Sequence, residues 1–306
     1  EVQIGYSIHK LIYNKMDPLR VIESITFKNP KLILLTDKKD TLQDESQKIV
    51  EVTDILSGFK KLAEIDRIFI ENGQILWGKS SQDLTKLVSK LDGYLIINST
   101  LKANLNLKGE LFESIEKDLS LNGEIDLSNK NWEISAQIDN SHIKKSIPFL
   151  NSSNFSVEEA KLSGNLQMVS NSLGIKDVNI QGKVDVQKMN SLLFGQKIYS
   201  DHFQIFFDNQ KMILSPVDGS AEDGKFHLTG DFGTVFNPHL NLNVHLIDVS
   251  AKNLATSAPV LELLNQGKLS GDLTVNGPAR DLFIEGKIYS PVVYYSIVPF
   301  YDAYLV

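Results

Sequence analysis

Cysteine is absent from the 306 residues, so no disulfide framework, thiol nucleophile or Cys-based zinc site exists. A cysteine-free chain also fits a periplasmic setting. No stretch of the sequence reads as a secretory leader, and there is no run of about 18 apolar residues to read as a membrane-spanning helix. Basic clusters are missing as well. With 31 Lys and Arg against 38 Asp and Glu, the net charge is −7, which argues against nucleic acid as a partner. Disorder is excluded by an apolar share of 42% against 23% charged.

Signatures of chemistry are equally scarce. No Gly-x-Ser-x-Gly elbow occurs. The six histidines are scattered without ligand spacing; His227 and His245 fall on the polar phase of their strands and read as solvated, as does His239. Glu158 and Glu159 sit in a turn-like stretch and read as solvated too. One motif imitates a phosphate-binding loop, "GQILWGKS" with Gly73, Gly78, Lys79 and Ser80. Its interior, Gln-Ile-Leu-Trp, favours a strand over a cradle of backbone amides, and the preceding "ENG" reads as a hairpin turn. No series of alternating strands and helices follows to build a parallel sheet. We therefore expect neither an enzyme nor a cofactor.

What the chain does contain is alternation. The pattern apolar-x-apolar-x-Gly-x-apolar recurs in seven stretches. They carry Leu105, Leu107, Gly109 and Leu111; Leu119, Leu121, Gly123, Ile125 and Leu127; and Leu162, Gly164, Leu166 and Met168. Val178, Ile180, Gly182, Val184 and Val186 follow, then Phe226, Leu228, Gly230 and Phe232. The last two hold Leu269, Gly271, Leu273 and Val275, and Leu282, Ile284, Gly286 and Ile288. Leu242 and Val244 alternate without glycine in "LNLNVHL", as do Trp132, Ile134, Ala136 and Ile138 in "WEISAQI". Period-two alternation over such lengths signals half-buried strands, and turn-rich punctuation such as "SNKN" and "DNQK" separates them. Short helices are expected over 53–62, 82–91 and 257–267.

The expected fold is all-β: an elongated, strongly curved antiparallel sheet forming an open groove, a half-pipe, with a few short helices. An N-terminal groove segment with those helices would span 1–97 and the repeating groove 98–306. Glycine in the apolar phase removes side chains that would collide where a sheet bends, and leaves room above the floor. Bulges or barrel corners in a packed core are the other reading of any single glycine. At about 14 residues per strand and turn, roughly 20 strands about 4.8 Å apart would make a trough on the order of 100 Å long. Tyr294, Tyr295, Tyr301 and Tyr304 mark either a wet–apolar boundary or a packed strand junction.

On these features the chain resembles the AsmA/TamB superfamily. "VIESITFKNPKLILLTD" (21–37) is similar to the strand, Asn-Pro, strand segment near the start of such proteins. "ILSGFKKLAEIDRIFIENGQILW" (55–77) is similar to the helix and hairpin that come next. "GKLSGDLTVNGPARDLFIEGKI" (267–288) is similar to the TamB-like repeat cadence. The resemblance implies a periplasmic bridge between the two membranes of a diderm bacterium, with phospholipid acyl chains in the groove and headgroups outside. It also implies an inner-membrane anchor and, for TamB, an outer-membrane β-barrel partner. The sequence opens in alternation ("EVQIGYSI") and stops in "PFYDAYLV", so we expect a fragment with its anchor elsewhere. The groove would be lined by the alternating residues named above, with Gly109, Gly123, Gly164, Gly182, Gly230, Gly271 and Gly286 giving curvature. A non-enzymatic scaffold for outer-membrane protein assembly, its groove filled by its own side chains, is the alternative.

Overall fold

The structure, a computed structural model, describes residues 1–6, 22–35, 67–78, 84–98, 102–112, 114, 116–143, 155–172, 177–193, 196–221, 224–235, 237–251, 264–278, 282–295 and 297–305. These residues hold seventeen strands. The first eight are β1 (Val2–Tyr6), β2 (Ile22–Lys28), β3 (Lys31–Leu35), β4 (Arg67–Gly78), β5 (Thr85–Ile97), β6 (Lys102–Leu111), β7 (Leu119–Asp126) and β8 (Asn131–Ile143). Then come β9 (Phe155–Ser170), β10 (Asn179–Leu193), β11 (Gln196–Asp208), β12 (Lys211–Ala221), β13 (Gly224–Thr234), β14 (Asn237–Ser250), β15 (Leu264–Pro278), β16 (Phe283–Tyr295) and β17 (Val298–Leu305). None of these elements is a helix.

The chain divides into two compact units, Glu1–Ser141 with Asn165–Ile180, and His142–Gly164 with Gln181–Val306; β9 contributes to both. Residue 97 ends β5, whose partner β6 belongs to the same unit. In the second unit β10 to β17 pair in chain order, each antiparallel to the next. Short connections rich in polar turn residues favour this between most neighbours, while thirteen residues separate β14 from β15.

In the first unit β4 to β8 form a similar meander, but its start departs from the expected antiparallel order. β2 and β3 both pair with β4 in parallel, and β1 adds antiparallel to β2. The kink between β2 and β3 falls at Asn29–Pro30. Asn29 has φ 53°, and its N–H donates to the Glu71 carbonyl at 2.8 Å. Proline cannot donate to the ladder, but its carbonyl accepts from Gln74 N–H at 2.9 Å. The two strands thus follow β4 as one interrupted line.

Two local expectations are corrected. "ENG" makes no hairpin: β4 runs straight through Glu71–Gly73, and Asn72, at φ 52°, takes a bulge conformation. Asn72 N–H is satisfied by Asp92 Oδ1 at 2.7 Å, which stabilises the bulge without a turn. The expected helix over 82–91 is not there among the described residues, which are strand from Thr85. The helical spacing of Val88 and Leu91 arises from a second bulge. The register sets Ser89 opposite Glu110 but Asp92 opposite Lys108, so Lys90 and Leu91 together face Gly109. Lys90 sits at φ 45°. One extra residue restores Leu91 to the face of Val88, and both are buried. The same spacing recurs where Leu214 and Val217, and Leu246 and Val249, flank register shifts. Of the other expected helices, 53–62 and 257–263 lie outside the described residues, and 264–267 is strand.

Candidate functional site

Register decides whether alternating strands share a face, because a slip of one residue would send a whole set to the other side. In the first unit, one line of partners runs Ile4, Ile25, Ile68, Leu95, Leu105, Gly123, Ile134 across seven strands. A neighbouring line runs Val2, Phe27, Ile70, Gly93, Leu107, Leu121, Ala136. Beside them Ile97, Ala103, Ile125 and Trp132 align, as do Gly109, Leu119 and Ile138. No ionisable side chain enters these lines.

The second unit repeats the arrangement. One line reads Val184, Ile205, Leu214, Gly230, Leu242, Val275, Ile284. Another reads Gly219, Phe226, Leu246, Gly271, Ile288, Leu305. Between them lie Val217, Leu228, Val244, Leu273 and Gly286. Ala251, Leu269, Ile288 and Val293 pack as a buried cluster, with Leu273 and Ala303 against it.

Coverage of these lines is uneven. Leu105, Leu107, Leu119, Leu127, Val178, Ile180, Val184, Val186, Phe226, Leu242 and Ile288 are buried. Leu111, Leu121, Ile125, Leu162, Leu166, Met168, Leu228, Phe232, Val244, Leu273 and Val275 are half-buried, and Ile284 is 44% exposed. For Leu166 and Met168 the strand phase is fixed by Gln167 between them, whose Nε2 donates to Glu133 on the polar side at 2.6 Å.

The glycines within these lines are tightly enclosed. A Cβ at Gly93 would lie 2.8 Å from the Leu107 Cα and closer still to the Asn106 carbonyl oxygen. Gly123 meets Ile134 Cα at 2.8 Å, Gly164 Val184 Cα at 2.9 Å, Gly230 Leu242 Cα at 2.9 Å and Gly271 Ile288 Cα at 2.9 Å. Gly286 is pressed against Leu273 Cα at 2.8 Å. In each case backbone of the adjacent strand stands where a Cβ would project. Gly109 differs, since Val88 and Leu91 side chains from the bulge cover it. Close approach of the paired strand therefore keeps the other positions as glycine.

The opposite face is largely polar and well paired, although it also exposes Tyr94, Ile96, Phe206, Ile213 and Ile247. Asn106 Nδ2 donates to Asn122 at 2.8 Å and Lys102 Nζ to Glu124 at 2.6 Å. Gln204 Nε2 donates to Asp185, which His202 also contacts at 3.3 Å; the Gln204 bond foremost holds the Asp185 carboxyl below its ordinary value. Two shallow depressions of about 380 Å³ lie among such residues. One is lined by Asn72, Gln74, Lys86, Ser89, Lys90, Glu110 and Ser114, the other by His227, Thr229, Asn243, His245, Asp272, Thr274 and Glu285 among others. In the first, buried Glu110 accepts from Lys90 Nζ at 2.7 Å and Ser89 Oγ at 3.3 Å, a polar cluster created by the bulge. Sequence alternation gave no hint of it, because Glu110 follows Gly109 in the polar phase.

Residues Gly73 to Gly78 of the phosphate-loop imitation lie in β4 as strand, while Lys79 and Ser80 are outside the described residues. Glu158, Glu159 and His239 are exposed. Tyr295, Tyr301 and Tyr304 are exposed and Tyr294 half-buried. Tyr304 stacks on Tyr289 with ring centroids 5.0 Å apart, and Tyr289 O–H donates to Asp302 at 3.0 Å. Among the described residues no helix is long and apolar enough to cross a membrane. Comparison of the chain with protein-family models, with curated proteins and with solved structures gives no match.

Proposed function

We propose that in each unit the apolar lines form the floor of an open groove that holds phospholipid acyl chains, as part of a periplasmic, inner-membrane-anchored lipid conduit of the AsmA/TamB kind. One observation carries the reading. Lines of Leu, Ile, Val and Phe run across strand after strand without an ionisable group, yet Leu121, Ile125, Leu228, Val244, Leu273 and Val275 within them are only half-covered. An acyl chain of about 16 carbons loses about 13 kcal/mol on entering water, at ~0.8 per methylene. A floor of uniform aliphatic character offsets that cost without favouring any single position, which suits movement along it. The strand, Asn-Pro, strand geometry of β2 and β3 adds support from the resemblance.

The scaffold reading differs in what fills the groove: its own side chains, with a barrel protein as partner. Organic extraction of the purified protein followed by lipid mass spectrometry separates the two. Copurified phospholipid in about stoichiometric amount is expected, and it should fall several-fold in Leu121→Asp or Leu228→Asp protein that keeps its β-sheet circular dichroism. Lipid-free wild-type protein that also takes up no acyl chains from vesicles would overturn the conduit.

A further inference from the structure

The polar face of the second unit carries a line that the lipid reading does not use: Asp218, His227, His245, Asp272 and Lys287, partners in turn across β12 to β16. His227 Nδ1 lies 2.8 Å from Asp218 Oδ1, and His245 Nδ1 lies 2.7 Å from Asp272 Oδ1. A carboxylate only accepts hydrogen bonds, so each Nδ1 carries the hydrogen and each neutral ring keeps its lone pair on Nε2. The two carboxylates flank the pair from opposite sides, which turns both Nδ1 atoms outward along the line. Directly opposed residues on neighbouring strands have Cβ atoms about 5 Å apart, so the two imidazoles stand side by side. Both border the depression that Thr229 and Asn243 also line.

We propose that His227 and His245 form a two-imidazole chelate for a borderline divalent metal ion of the copper, nickel and zinc class. Imidazole nitrogen is a preferred donor for these ions, and a carboxylate on the second ring nitrogen is the usual device that fixes tautomer and orientation. Among the described residues no group of three or more His, Asp or Glu side chains is placed to hold an ion. The protein therefore supplies two nitrogens, and water completes the coordination. Asp218 and Asp272 act as positioning residues. The other charged groups on the surrounding strands are Lys211 on β12, Lys225 and Asp231 on β13, Asp248 on β14, Lys268 on β15, and Glu285 and Lys287 on β16; of these Glu285 borders the same depression, and Lys287 faces Asp272 rather than the pair.

The test is calorimetric titration of chelator-stripped protein with nickel and zinc chlorides, near pH 7.5 and again near pH 5. One ion per chain is expected with either metal, with binding lost at the acid pH as protons compete for the rings. His227→Ala and His245→Ala should each weaken binding at least tenfold, and the double variant should abolish it. The Asp218→Asn, Asp272→Asn double variant should weaken it roughly tenfold while leaving the fold intact. Both histidine side chains are about half exposed, at 44% and 50%, so these variants are expected to fold. Absence of binding, or affinity unchanged in the histidine variants, would overturn the site; affinity unchanged in the Asp variant would overturn the positioning role.

Discussion

Gly123 shows how much one missing carbon can carry. Its neighbours in the line are Leu105 and Ile134, and a Cβ there would strike the Glu133 carbonyl and lie 2.8 Å from the Ile134 Cα. Backbone cannot swing aside as a flexible side chain can. Gly123→Ala is expected to cost about 1–3 kcal/mol by overpacking, read from urea unfolding. Gly230→Ala should cost more, because Gly230 combines the same crowding with φ 138°, where a side chain is strained. Equal stability of these variants and wild type would show that the strands can part without loss. A few residues further on, Asp126 closes the turn between β7 and β8. Its carboxylate accepts from Ser128 Oγ at 2.6 Å, foremost, and from Asn129 N–H at 2.9 Å, which holds its pKa down to about 2. The folded-state value lies below the ordinary 3.8, so the stabilisation is complete above about pH 4 and disappears as pH falls through about 2. Wild type should therefore exceed Asp126→Asn in stability near neutral pH, and the difference should close on acidification; a pH-independent difference would refute the assignment.

At the scale of the element, the bulge explains why part of β5 looks helical. A strand with one extra residue spaces its inward side chains at i and i+3, as a helix does, and local pattern alone cannot distinguish the two. Removing Lys90 should leave Val88, Leu91, Gly93, Leu95 and Ile97 in unbroken alternation against β6. The expected result is a folded protein, destabilised by about 1–3 kcal/mol because buried Glu110 loses its cation. Deleting Asn106 from unbulged β6 should be far worse, since it sends Leu107 and Gly109 to the polar face. Thermal unfolding of the two deletions side by side checks this ordering, and similar losses in both would count against the bulge account.

At the scale of the whole molecule, what matters is repetition. Each unit lays aliphatic lines across successive strands and sets amides, carboxylates and lysines on the reverse. If the floor acts by uniformity, Leu121→Asp in the first unit and Leu228→Asp in the second should reduce copurified phospholipid to a similar degree. Asn122→Asp, on the polar face next to Leu121, should leave it unchanged. Loss of lipid from only one of the two Leu variants would show that the two units do not share the role.

Alternation determined much by itself. The all-β class, the in-phase glycines, the polar phase of His227 and His245 and the strand character of Gln74–Trp77 are local properties, legible because side chains on a strand alternate whatever it pairs with. Tertiary structure alone decided the parallel entry of β2 and β3 alongside β4, the bulges at Asn72 and Lys90, and the buried Glu110 cluster. It alone also set His227 beside His245, eighteen residues apart in the chain. These depend on which strand lies next to which and in what register, and pairing is a relation between distant segments that no single segment encodes.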